Sequence, residues 1–251
     1  SRFRRIDMRL KSAKNLAMSA VCVALLIAAQ FVLGFVPGVE LVTAILLAFC
    51  YAFGIFYGLL AATAFSLLRC LVFGFVPNVV VLYLVYYNLF ALLFGFAGRR
   101  KISVYIGLVL PVIVGALCLY FAIQPPPVSI LYQKNLQIML WILFGLMCAL
   151  AVFLCLLLFN GKLRKKENAK ELATVTALAA FCTVCFTLFD DVISPLVLGY
   201  SADATVAYFY TGFLTMIPQT ICASVSVFLL FPVLKKLFFR AANRQEKLGE
   251  I

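Results

Sequence analysis

There is no histidine among these 251 residues. That absence removes Ser-His-Asp and Cys-His nucleophile activation and every His-ligated metal site at once. Charge is also scarce: Asp, Glu, Lys and Arg make up 12% of the chain, and only nine residues are acidic. With 66% of residues hydrophobic, the composition is not that of a soluble domain covering one core with a polar surface. No G-x-x-x-x-G-K-[ST] loop is present to cradle ATP phosphates. Any active transport by this chain therefore draws on an ion gradient or on a partner. Asp190 and Asp191 stand side by side on one helix and do not make the facing pair that aspartyl proteolysis needs. No catalytic residue, metal or cofactor is expected.

What the chain has in abundance is apolar sequence. A bilayer interior offers backbone groups no water, so a spanning segment must be a helix or part of a closed barrel. Uninterrupted apolar runs of about 20 residues select helices. The expected fold class is an all-α integral membrane bundle, with spans near residues 14–36, 39–54, 58–75, 78–97, 102–123, 134–160, 170–199 and 204–238. The second and third of these are short and meet at Gly54-Ile55-Phe56-Tyr57-Gly58. Charge argues for keeping them separate. With eight spans and the N-terminus inside, the cytoplasm receives Arg2, Arg4, Arg5, Arg9, Lys11 and Lys14, then Arg99, Arg100 and Lys101. It also receives Lys162, Arg164, Lys165, Lys166 and Lys170, and finally Lys235, Lys236, Arg240, Arg244 and Lys247. That is 19 of the 21 basic residues, as the positive-inside rule requires. Lys134 is left outside and Arg69 lies within a span.

The whole chain reads as one transmembrane domain. A basic cytoplasmic N-terminus (1–13) leads into four spans (14–98), a helix pair (102–160), two further spans (170–238) and a cytoplasmic tail (239–251). The first apolar stretch is too long for a signal-peptide core and reads as a retained helix, and the missing initiator Met reads as a trimmed start. The formal charge of +12 sits in short clusters beside the spans, which fits topology and contact with anionic lipid and not nucleic acid. Nine cysteines, an odd number, fall at apolar positions and read as small packing residues. Cys182-Thr-Val-Cys185 has C-x-x-C spacing without a second Cys or His pair, and reads the same way. Gly34-Phe-Val-Pro-Gly-Val39 returns as Gly74-Phe-Val-Pro-Asn-Val79. Two readings stay open here: a parallel repeat, or one convenient turn used twice.

Ionisable side chains in membrane helices cost about 2.5 to 3.5 kcal/mol at the helix centre, so each one needs a reason. Arg69 is foremost, with Thr63, Ser66 and Cys70 near its face. Thr183, Thr187, Asp190 and Ser194 form one stripe in the seventh span, with Asp191 about 100° to the side. Tyr208, Thr211, Thr215, Gln219, Cys222 and Ser226 form another in the eighth. In the expected orientation Arg69, Asp190 and Asp191 occupy the outer leaflet, with Glu40 and Asn78 at outer helix ends. Tyr83, Tyr86, Tyr87 and Asn88 descend the fourth span. The candidate ligand-binding set is Glu40, Arg69, Asn78, Tyr83, Tyr87, Asn88, Asp190, Asp191 and Gln219, forming an outward pocket with aromatic and aliphatic walls. The plainer reading pairs Arg69 with an aspartate for charge neutrality, lets the Thr and Ser hydroxyls bond across helices, makes the tyrosines interface anchors and makes Glu40 a first-turn helix acid.

Ala13, Ala17, Ala20, Ala24 and Ala28 form a narrow stripe on the first span that would let another helix approach closely. An alanine-rich first helix of this kind resembles the substrate-binding S components of energy-coupling factor vitamin transporters. The resemblance extends to Phe35-Val36-Pro37-Gly38-Val39-Glu40-Leu41 and the short second span. It also includes Ala207-Tyr208-Phe209-Tyr210-Thr211-Gly212-Phe213 and Phe231-Pro232-Val233-Leu234-Lys235-Lys236, covering residues 13–98 and 170–240. Family members have six helices, so 102–160 would be an extra pair. The resemblance implies a high-affinity micronutrient binder in a prokaryotic plasma membrane. It also implies that the alanine stripe docks on a transmembrane coupling subunit that works with two ABC-type ATPases. An ion-coupled secondary transporter or lipid flippase, with Asp190, Asp191 and Arg69 as a proton relay, is the alternative, and a membrane-embedded enzyme comes third.

Overall fold

The computed structural model describes residues 2–36, 39–98, 103–159 and 167–247. The basic loops at Arg99 to Lys101 and at Lys162 to Lys166, and Pro37-Gly38 of the first turn, lie outside the described residues. Every regular element among the described residues is helical: α1 (Arg2–Leu33), α2 (Val42–Phe73), α3 (Pro77–Ala97), α4 (Ser103–Ile123), α5 (Ile130–Phe159), α6 (Glu167–Leu198) and α7 (Ala202–Lys247). Six of them contain stretches long and apolar enough to cross a bilayer, and α4 adds the shorter apolar helix Leu108–Ile123. The chain is an integral membrane protein by this architecture.

Among the described residues seven helices stand where eight spans are expected, because the second and third spans fall within one helical run, α2. That run is not straight. Gly54 takes φ 79° and ψ −173° in mid-helix, a combination essentially confined to glycine. Residues 50 and 58 would be about 12 Å apart along a straight helix. Instead, a Cβ built on Gly58 would lie 3.6 Å from the Cα of Cys50. The chain therefore doubles back at Gly54, and α2 is two arms joined at an elbow. The first arm, residues 42–53, rises only about 18 Å, well short of the roughly 30 Å hydrocarbon core.

The chain clusters into two compact units, one formed by 1–101 with 225–251 and the other by 102–224. In the first unit the later arm of α2 runs antiparallel to α3. Ser66 bonds to the backbone of Tyr83, Thr63 meets Asn88, and a Cβ on Gly95 would collide with the backbone of Ile55 at 2.8 Å. Without a hydrophobic force between helices in lipid, such close backbone approach is how membrane helices gain contact. Phe65, Tyr83, Tyr87, Phe90 and Phe94 fill this seam as a chain of ring contacts. At the elbow end, Phe49 and Phe53 pack on Phe238, while Tyr51 meets Phe231 and lies 5.2 Å under the ammonium of Lys235. The last turns of α3 and the late part of α7 thus share one end with the elbow.

In the second unit α4 and α5 form a hairpin, and both helices touch α6. Leu154, Leu157 and Ala177 make a small core there, with Leu108, Leu150 and Ala173 around it. All nine cysteines are free thiols.

Candidate functional site

The polar residues of the first unit gather at the end opposite the elbow. Arg69 is placed by the later arm of α2, with its guanidinium carbon 4.4 Å from the centre of the Tyr83 ring and 5.5 Å from that of Phe73. A guanidinium over an aromatic face is held by the ring quadrupole as well as by dispersion. Gln30, near the end of α1, donates from Nε2 to the Tyr83 hydroxyl at 3.1 Å. Below the ring, Ser66 shares its hydroxyl proton between the carbonyls of Ala62 (2.8 Å) and Tyr83 (3.0 Å), which fixes the α3 backbone under Tyr83. Two polar atoms remain unmet around this ring: Arg69 Nε and Gln30 Oε1 are both buried without a hydrogen-bond partner. One is a donor carrying charge and the other an acceptor, and burying either unsatisfied costs about 1 to 3 kcal/mol.

Glu40 lies half-buried in the turn before α2, and its Oε1 accepts the Thr43 hydroxyl at 2.8 Å. Burial pushes the Glu40 carboxyl up from the usual carboxylate range, against the opposing effect of that hydrogen bond. Glu40 and Arg69 both lie near enough for their charges to act on Tyr83 and Tyr87. Asn78 is buried in the first turn of α3. Asn88 is tied by both ends of its amide, accepting from Thr63 at 2.9 Å and donating to the Leu84 carbonyl at 2.8 Å. Tyr86 and Tyr87 are buried in the aromatic seam, so they pack inside the bundle and do not sit as interface anchors.

The aspartates belong to the second unit. Asp190 accepts the Ser194 hydroxyl on Oδ1 at 2.5 Å and the Tyr208 hydroxyl on Oδ2 at 2.9 Å. Asp191 is 4% exposed, and neither of its carboxylate oxygens has a hydrogen-bond partner. Its carboxylate rests directly on α7 at Gly212, where any Cβ would strike it. Gln219 is half-buried further along α7. Most hydroxyls of the two polar stripes do not bond across helices as the plainer reading had it. Thr183, Thr187, Thr211 and Thr215 each return their proton to a carbonyl of their own helix, three or four residues back. Helical periodicity places such residues on one face but does not give them a partner on the next helix.

All five stripe alanines of α1 are exposed, while Ser19, Cys22, Val23 and Leu26 turn inward. Ala20, Ala24 and Ala28 line a groove of about 750 Å³ against Ala61, Ala64 and Leu68 of α2. The chain's own packing leaves the stripe open.

Gln30, Gly212 and Pro195 are the site residues that sequence reasoning passed over. A neutral amide in an apolar helix is less conspicuous than a charge. A glycine acts through what it lacks. Pro195 was legible as a proline within the span, four residues after Asp191. No family model, curated protein or solved structure matches this chain.

Proposed function

We propose that the chain is a membrane-embedded, high-affinity binder of a small vitamin-like solute, captured from outside a prokaryotic plasma membrane. In this reading it resembles the S component of an energy-coupling factor transporter and works with a transmembrane coupling subunit and two ABC-type ATPases. The observation that carries the reading is the pair of unmet polar atoms around Tyr83. Arg69 Nε offers a charged donor and Gln30 Oε1 an acceptor, both buried beside an aromatic face. A compact solute with an anionic or carbonyl group, a donor and a flat body answers all three at once. Glu40 lies close by as a second charge.

The open alanine groove supports a docking partner, since small residues left uncovered on a membrane helix allow a second helix to approach closely. The elbow at Gly54 supports a reversal of the chain between a short second segment and the third, and with it eight segments with both ends inside. It returns the chain so that the α3 end leading to Arg99 and the Lys235 segment share one end of the first unit, which this reading makes the cytoplasmic one. Native mass spectrometry of the protein extracted from its own membrane tests the proposal. A retained small molecule together with stoichiometric ATPases and a third membrane subunit is expected, and a bare chain lacking both refutes it. One observation favours a second reading, ion-coupled secondary transport: Asp191 is a buried carboxylate without a donor. Uptake that collapses with an uncoupler yet survives ATP depletion would select it.

A further inference from the structure

Two carboxylates on consecutive residues of a membrane helix need donors or compensating positive charge, and hydrogen bonds in the second unit serve only one of them. Asp190 is served on both oxygens by the hydroxyls of Ser194 and Tyr208. Asp191, 4% exposed, has no donor on either oxygen. The surrounding helices supply little. Among the described residues α4 carries no charged side chain, α5 carries Lys134 alone, and the part of α7 in this unit carries Asp203 alone. Asp203 lies at the far end of α7, where its carboxylate accepts the Ser129 backbone N–H. The titratable groups that bear on the pair are Tyr208, which faces both carboxylates, and Asp190 itself, which acts on Asp191.

The backbone adds a further oxygen. Pro195 has no N–H to give the carbonyl of Asp191, its partner four residues back in the helix. In membrane transporters, backbone carbonyls released from helical bonding coordinate sodium ions or protons. Space is tight, because the Asp191 carboxylate leaves no room even for a methyl group between itself and Gly212. An organic ammonium does not fit on that side, so a cation held by these oxygens is a small one reached from the carboxylate's other edges. The oxygens are all hard ligands, unsuited to soft transition metals. Among the described residues no group of three His, Cys, Asp or Glu side chains gathers to hold a metal ion.

We propose that Asp191, with Asp190, Ser194, Tyr208 and the freed Asp191 carbonyl, holds a single bare monovalent cation, sodium or a proton. The proposal rests on neither the Arg69 cluster nor how uptake is powered. Two measurements on the purified full chain in lipid nanodiscs test it. Saturable binding of radiolabelled sodium, at least tenfold weaker in Asp191→Asn, identifies sodium as the occupant. Absence of sodium binding, with an infrared carboxylic-acid carbonyl band at neutral pH that Asp191→Asn removes, identifies a proton. If neither signal is present, or if both are unchanged in Asp191→Asn, the proposal is overturned. Should that variant fail to fold, Tyr208→Phe is the substitute. It removes one hydroxyl from the cluster and is expected to weaken sodium binding several-fold or to shift the midpoint of the infrared band. An unchanged response counts against the site.

Discussion

Arg69 stacks on Tyr83 with 4.4 Å between the guanidinium carbon and the ring centre. The same tyrosine's hydroxyl is held by Gln30 from another helix. One aromatic side chain thus connects α1, α2 and α3 and orients the charge of Arg69 near the end of α2.

Replacing Arg69 tests whether that arrangement serves a ligand. A stacked pair of this kind contributes about 0.5 to 2 kcal/mol, too little for Arg69→Ala to unfold the bundle. The retained small molecule should fall at least tenfold in native mass spectra of Arg69→Ala, with melting temperature and partner subunits preserved. Arg69→Lys keeps the charge but loses the planar fork, and should lie between the two. Equal loss of ligand and partners would indicate misfolding.

Glu40 makes a prediction about pH. Burial holds its carboxyl above the ordinary carboxylate range, so across that interval the folded chain keeps a proton that the unfolded chain has released. Stability therefore falls as pH rises from the ordinary carboxylate value through the raised one. Glu40→Gln is neutral in both states, and should flatten this part of the melting-temperature profile and melt higher than the parent above it. Parallel profiles for the two proteins would refute the assignment.

The fold was legible to the extent that apolar length and charge placement carry it. The glycine pair at 54 and 58 marked the elbow, where the structure breaks α2 into two arms, but apolar pattern alone does not separate a break from a kink. Arg69 stood out because a basic residue inside a span has no bland neighbours to hide among. Gln30 did not stand out, since an uncharged amide in α1 breaks no rule of composition. Of the stripe threonines, Thr183 and Thr187 are buried while Thr211 and Thr215 are exposed, and all four hydroxyls turn back to carbonyls of their own helix. That choice is made by local geometry at each residue.

The elbow itself can be tested by a matched pair of substitutions. Gly54→Ala forces a side chain into a backbone region that costs about 1 to 3 kcal/mol and should lower the melting temperature in detergent by several degrees. Gly145→Ala is the control. It is a helical glycine with nothing within 4 Å of an added Cβ, and it should leave stability within about 1 kcal/mol of the parent. If the two variants melt alike, α2 does not turn at Gly54.

Ala24 separates docking from capture. It is exposed on α1 and lines the apolar groove between α1 and α2, remote from Arg69 in function under the proposed reading. Leucine at this position fills the groove without burying anything inside the chain, so folding has little to lose. A helix that packs by close backbone approach loses its contact when a small residue becomes large. Ala24→Leu should therefore cut recovery of the partner subunits at least tenfold in pull-downs while the retained small molecule stays at the level of the parent. The opposite pattern, partners kept and ligand lost, would place the binding site in this groove and move the docking face elsewhere.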